Sequence, residues 1–443
     1  MSGTVFHHSD GSISVRADTG IAVVPVTVGD DAVRVTVDAA FPDRVVDLAA
    51  ASPEALRTRA ARFRDGDSVR RIAAAADGEV VDAPVLADAW ARIATVAAVD
   101  AVHLGPLDDA VVHLDTAHAR ALAGDPDADR YYAFGAAVVD RLVDELRAAQ
   151  AHGPVVARTA EAVEAASAAV FRPGRRAALL RALTDADDVT DRAWQSLSAD
   201  VADPSPTLAL SLNRAVTVDA GLADLAPLRP RLLRFDGPDE PEISVRHLGD
   251  GTVVLAAALR NGVDETTEQA AGIFAVVADA RSGEPVAHAP AVLADGQIRA
   301  RVALNGADPH SIRCAFLDST ANLDALRLDP TGIALTRIDR YCRYAWSQHR
   351  LAGALRAALG AGNTAAEIDR AQAAADTALS IAVDAADTTL GLVRQLRRKR
   401  RDTTDLARRA AALNRFRDVC AAPPAVAGPT GPTLAELCSV ALG

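Results

Sequence analysis

The chain is expected to fold as an α+β multidomain protein. The expected parts are a small N-terminal antiparallel sheet, a helical region, a β-sandwich and a C-terminal helical hairpin with coiled-coil-like pairing. Three observations carry this. Apolar residues alternate with period two over residues 12–40 and again over 241–330. Between and after those stretches the period lengthens to three and four. Turn residues built on Gly and Asp separate the alternating runs.

In the first run Ile13 and Val15, then Val23, Val26 and Val28, then Val33, Val35 and Val37 read as strands of a β meander within residues 1–50. Asp18-Thr19-Gly20 and Gly29-Asp30-Asp31 mark its turns. Ser52-Pro53-Glu54 opens a mainly helical region, 51–202, with Pro at the first helical position. Its strongest periodicity is Phe134, Val138, Leu142, Leu146 and Ala149; a short strand over Val111–Leu114 is expected to interrupt it. Residues 203–240, rich in Pro and Leu, read as a connector.

Over 241–330 the strand candidates are Ile243–His247, Thr252–Leu259, Ile273–Ala278, Ile298–Leu304 and Ile312–Phe316. Their number and spacing suggest a sandwich. Residues 331–420 return to helix: one from about Leu335 to Leu359, a second from about Thr364, and a third after the Asp402–Asp405 break. Leu379, Val383, Ala386, Leu390 and Val393 step by four and three, as in a coiled-coil seam. Residues 421–443 are a Pro/Gly/Ala linker and a short apolar tail.

Composition removes several chemistries. The chain has one lysine, Lys399, against 46 arginines. A phosphate-binding P-loop, a protein kinase and a Schiff-base enzyme each need a placed lysine. Lys399 stands in Arg-Arg-Lys-Arg-Arg with no glycine beside it. The scarcity of Lys, and the abundance of Ala, Val, Arg, Asp, Gly and Leu, fit a GC-rich bacterial genome. Cys314, Cys342, Cys420 and Cys438 are far apart and form no Cys-x-x-Cys, which argues against a zinc ribbon or disulfide framework. No apolar run reaches membrane-spanning length, and the N-terminus lacks signal-peptide character, so a cytoplasmic protein with no membrane association is expected.

Two segments carry interaction signals. Residues 394–417 net +8, and the remainder of the chain then carries −20. Arg394, Arg397, Arg398, Lys399, Arg400, Arg401, Arg408 and Arg409 form the core of this basic segment. Such asymmetry points to an anionic partner (nucleic acid, lipid head groups or an acidic protein face) or to a solvated face that pairs with acidic residues of its own chain. Phe416 is the one aromatic there, so base stacking is not supported. In the tail, Leu434, Leu437 and Val440 form an apolar face of the kind that docks in a partner's groove or folds back on its own domain.

Candidate metal ligands are sparse. His113, Asp115 and His118 are close in sequence, but a spacing of five does not put both imidazoles on one helix face. On a strand, His113 and Asp115 would share a face. Asp125-Pro126-Asp127-Ala128-Asp129 starts like a calcium loop but has Arg130 and Ala136 where Gly and Glu are needed. Gly360-Ala361-Gly362-Asn363-Thr364-Ala365 fits a dinucleotide fingerprint but follows a helix rather than a strand. No cofactor is expected.

Arg343-Tyr344-Ala345-Trp346-Ser347-Gln348-His349 resembles the Arg-x(4–6)-His pattern of HEPN-type ribonucleases. The resemblance implies metal-independent RNA cleavage, with Arg343 steadying a phosphate and His349 handling the proton of the attacking 2'-hydroxyl. The residues themselves, lacking a coherent catalytic constellation, favour a non-catalytic scaffold or adaptor that assembles with itself or a protein partner through its C-terminal helices and tail. Binding of nucleic acid or another polyanion through the basic segment is the further alternative.

Overall fold

Alternation at the N-terminus builds a six-stranded antiparallel sheet in the computed structural model. The model describes residues 2–17, 21–105, 107–126, 128–132, 154–170, 232–235, 237–239, 243–248, 251–260, 272–318, 330–359, 363–400 and 404–442, with Val139, 142–144 and Arg147. The strands are β1 (Ser2–His7), β2 (Ile13–Ala17), β3 (Pro25–Gly29), β4 (Val33–Asp38), β5 (Phe41–Ala50) and β6 (Val80–Asp82), in the order β3-β4-β5-β2-β1-β6. The alternation has its expected cause: Val5, Ile13, Val15, Val26, Val33, Val35 and Leu48 are buried on one face. His7 and His8 close the β1–β2 hairpin. The His7 Nε2–H donates to the Ala75 carbonyl at 2.9 Å, and His8 bonds the Ser14 hydroxyl at 2.9 Å.

Helix α1 (Pro53–Thr58) starts as its sequence predicts, with Ser52 accepting from the Ala55 N–H at 3.0 Å. Then come α2 (Gly66–Ile72), α3 (Asp88–Val102), α4 (Asp109–Leu122) and α5 (Pro154–Val170). The strand expected over Val111–Leu114 is instead the first turn of α4. The Asp108 carboxylate accepts from the Val111 N–H at 3.0 Å, and this cap outweighs the β-branched Val111-Val112 pair. Phe134, Val138, Leu146, Ala149, Arg401 and most of the 203–240 connector lie outside the described residues.

The chain divides into two compact units: Met1–Ala186 with Cys342–Gly443, and Asp187–Tyr341. The second holds β7 (Ser244–Leu248), β8 (Thr252–Ala258), β9 (Ile273–Asp279), β10 (Pro285–Pro290), β11 (Val292–Ala294), β12 (Gln297–Ala303) and β13 (Ile312–Asp318). They form a four-stranded sheet, β11-β12-β8-β7, and a three-stranded sheet, β10-β9-β13, both antiparallel. Leu255, Val277, Ile298 and Phe316, drawn from both sheets, belong to a single buried cluster.

The C-terminal helices are α6 (Pro330–Ala358), α7 (Ala365–Lys399), α8 (Thr404–Ala421) and α9 (Leu434–Leu442). A capping box starts α7: Thr364 Oγ1 accepts from the Glu367 N–H, and the Glu367 carboxylate accepts from the Thr364 N–H at 2.7 Å. Helices α7 and α8 pack against each other as a hairpin. The buried stripe of α7 differs in part from the expected seam. Ala386, Leu390 and Val393 are buried, Leu379 and Val383 are partly covered, and Ala375, Ala378, Ala382 and Ala385 complete the stripe. Alanines at a contact let helix axes approach closely. Among the described residues no helix is long and apolar enough to cross a membrane.

Candidate functional site

Two features of the first unit stand out: the basic end of the α7–α8 hairpin and the seat of the C-terminal tail. At the end of α7, Arg394, Arg397, Arg398, Lys399 and Arg400 are all exposed, and among the described residues none of them makes an ion pair. Leu396, between them in sequence, and Val393, just before them, are buried. The split follows from helix geometry: the apolar positions take the side facing α8 and leave the cations outside. On α8, Arg408 is exposed and Arg409 is half-buried, while Phe416 is fully buried. Phe416 is therefore a core residue of the hairpin. Lower down, Arg417 Nε pairs with Asp387 of α7 at 2.7 Å and ties the two helices together.

The tail folds back onto its own unit, where α9 packs on α4 and α5. A buried charge network holds it. Arg350 of α6 donates from Nε to Glu436 Oε1 at 2.8 Å, from Nη1 to the Thr430 carbonyl at 2.6 Å and from Nη2 to the Gly431 carbonyl at 3.0 Å. Arg92 of α3 donates to the carbonyls of Gly431 at 2.8 Å and Pro432 at 3.1 Å. Asp115 of α4 accepts the Leu434 and Ala435 N–H groups, each at 2.9 Å, and so caps α9 from another helix. Thr433 and Glu436 form a capping box within the tail. Asp115 and Glu436 are each 2% exposed, and two arginines balance two carboxylates.

Electrostatics follow from that burial. Burial pushes Asp115 up to about 6, against the pull of Arg92 and the two N–H groups it accepts. Burial also pushes Glu436 up, but Arg350, His103 and the Thr433 N–H outweigh it and leave that carboxyl below its ordinary value. His103 Nδ1 accepts from the Gly105 N–H at 3.1 Å, which leaves Nε2 to carry the proton, and Nε2 lies 3.9 Å from Glu436 Oε1.

Beside this network lies a cleft of about 310 Å³ between β5, α6 and the linker, lined by Phe41, Arg44, Trp346, His349, Gly353 and Pro424 among others. Gly353 packs closely against the linker: a Cβ would sit 3.3 Å from Pro424 Cβ and 3.4 Å from the Ala425 carbonyl. Trp346 is anchored through Nε1 to the Ala39 carbonyl at 3.2 Å. His349 donates from Nε2 to the Ala422 carbonyl at 3.3 Å, and burial lowers its pKa to about 4, so the ring is neutral at pH 7. Arg343 is not among the residues lining the cleft; six positions along one helix put it and His349 on different sides. Burial raises the thiols of Cys314 and Cys420 to about 12 and that of Cys342 well above its ordinary value, which keeps them protonated.

The remaining sequence candidates separate. His113 is exposed on α4, Asp115 is buried under the tail and His118 is half-buried, with its pKa lowered by burial. Among the described residues no three His, Cys, Asp or Glu side chains are grouped to hold a metal ion. Leu434, Leu437 and Val440 are half-buried, and Ala435 and Cys438 are apolar positions of α9 that bury fully. Asp115 and Glu436, the two acids that seat the tail, were not singled out for that role from the sequence. Thr433-x-x-Glu436 before an apolar run is a legible capping box; nothing local links it to Asp115 or Arg350. No protein-family model, curated protein or solved structure matches this chain.

Proposed function

We propose that this chain is a non-catalytic scaffold or adaptor whose C-terminal helical hairpin engages an acidic face of a protein partner. One observation carries the reading: five cations within residues 394–400, at the end of α7, are exposed and lack ion pairs among the described residues, in a chain of net charge −12. Arginine forks suit carboxylates bidentately, and a helix holds their spacing fixed. The buried Phe416 leaves no aromatic for stacking on bases, which favours protein over single-stranded nucleic acid. In this reading the tail is seated in cis on α4 and α5 and leaves the basic end of the hairpin to the partner. The coiled-coil-like pairing of α7 and α8 supplies stiffness, and the two sheets of the second unit form a β-sandwich that serves as a rigid surface. A core shared by both sheets supports the sandwich.

The test is charge reversal rather than truncation, because the tail is structural. Full-length protein is compared with the Arg394→Glu, Arg397→Glu, Arg398→Glu and Arg400→Glu variant. Both are cross-linked in native lysate, with proteins and nucleic acid quantified together. A protein set enriched in acidic surfaces and lost with the reversal supports the proposal. Capture of nucleic acid alone, or the same proteins with both forms, overturns it.

A further inference from the structure

We propose that His247 and His310, in the second unit, form a binding site for a divalent transition-metal cation of the zinc class. His247 lies on β7 opposite Val253 of β8. His310 lies in the loop between β12 and β13. Asp308 shapes that loop by accepting the His310 N–H at 3.0 Å and the Ser311 hydroxyl at 3.0 Å. The rings approach with centroids 5.8 Å apart and planes inclined by 36°.

Both ring nitrogens of His247 are buried, and neither has a hydrogen-bond partner among the described residues. A neutral imidazole always presents one N–H and one lone pair. Two such atoms without partners are unusual in a folded chain, and a bound ion would engage the one that carries the lone pair. The separation suits one. With metal–nitrogen bonds of about 2.0–2.1 Å at a tetrahedral angle, two imidazole centroids sit about 5 Å apart, somewhat closer than the 5.8 Å between these rings. Imidazole pairs select zinc, copper or nickel over magnesium or calcium. His310 is exposed, so solvent has access to the remaining coordination positions. No third His, Cys, Asp or Glu joins the pair among the described residues.

The experiment uses the full chain without an affinity tag and zinc chloride alone as probe, read by calorimetric titration. The expected result is one zinc equivalent whose affinity falls at least tenfold in His310→Ala and in His247→Ala and is unchanged in His113→Ala. His310 is an exposed loop residue, so its variant keeps the test meaningful even if His247→Ala fails to fold. Absence of zinc binding overturns the proposal, as does affinity that His310→Ala leaves intact or that His113→Ala removes.

Discussion

Asp115 and His349 titrate in the same pH window with opposite effects on stability. The native Asp115 carboxyl has a pKa of about 6, above the ordinary 3.8, because it is buried. Between about pH 4 and 6 the native chain therefore holds a proton there that the unfolded chain has released. Stability follows the difference in bound protons, so this residue's contribution falls as pH rises through that window. His349 behaves in reverse. Burial brings it from 6.5 to about 4, so the unfolded chain carries a proton that the native chain refuses. Its contribution is complete above pH 6.5 and is lost as pH falls towards 4. Each masks the other in the wild type. Urea midpoints from pH 4 to 7 separate them. Relative to wild type, Asp115→Asn should gain stability as pH rises from 4 to 6 and then level off. His349→Gln should gain as pH falls from 6.5 to 4. A difference that does not vary with pH in either variant contradicts the assignment for that residue.

At the scale of the element, α9 is short and depends on partners outside itself. A helix of this length does not persist alone in water. What fixes it is a cap from Asp115, its own Thr433–Glu436 box and the Arg350–Glu436 pair. Removing one member of a buried pair strands the other, at a cost of about 3–5 kcal/mol. Glu436→Gln and Arg350→Met should each destabilise the chain by about that much in urea unfolding. The double variant Arg350→Met with Glu436→Gln should lose less than the two singles together; strictly additive losses would mean that the pair is not coupled. These contacts also mark the limit of what the chain displays locally. Strand alternation in β2, β3, β4, β8 and β12 is legible because one face of each is buried, while β9 and β13 bury consecutive residues and read as short apolar runs. The β10 segment, Pro285-Val286-Ala287-His288-Ala289-Pro290, is largely exposed and so carries little apolar alternation. Val111-Val112 reads as strand until the Asp108 cap is weighed. The exposed arginines of α7 are visible as a charge run, but Arg350 and Glu436 are 86 positions apart, and no local period joins them.

At the scale of the whole molecule, the first unit is discontinuous and the second occupies a single stretch, Asp187–Tyr341, within it. Helix α6 runs through the boundary between Tyr341 and Cys342. Each unit has its own buried centre, with Leu255, Ile298 and Phe316 in the second and Leu48, Leu114 and Phe416 in the first. A unit with its own core can open without the other when few stabilising contacts cross between them. Leu255 is fully buried at the middle of β8, paired with Val245 and Ala300. Its truncation to alanine should cost about 2–5 kcal/mol locally. If the units are energetically separate, hydrogen exchange in Leu255→Ala should accelerate for the amides of β8, β9 and β12 by the factor that this loss implies. The amides of Leu413 and Phe416 in α8 should keep their wild-type protection. Equal acceleration in both sets would mean instead that unfolding is one event, transmitted along the continuous helix α6. Arg350, on that same helix, would then couple the seat of the tail to the second unit.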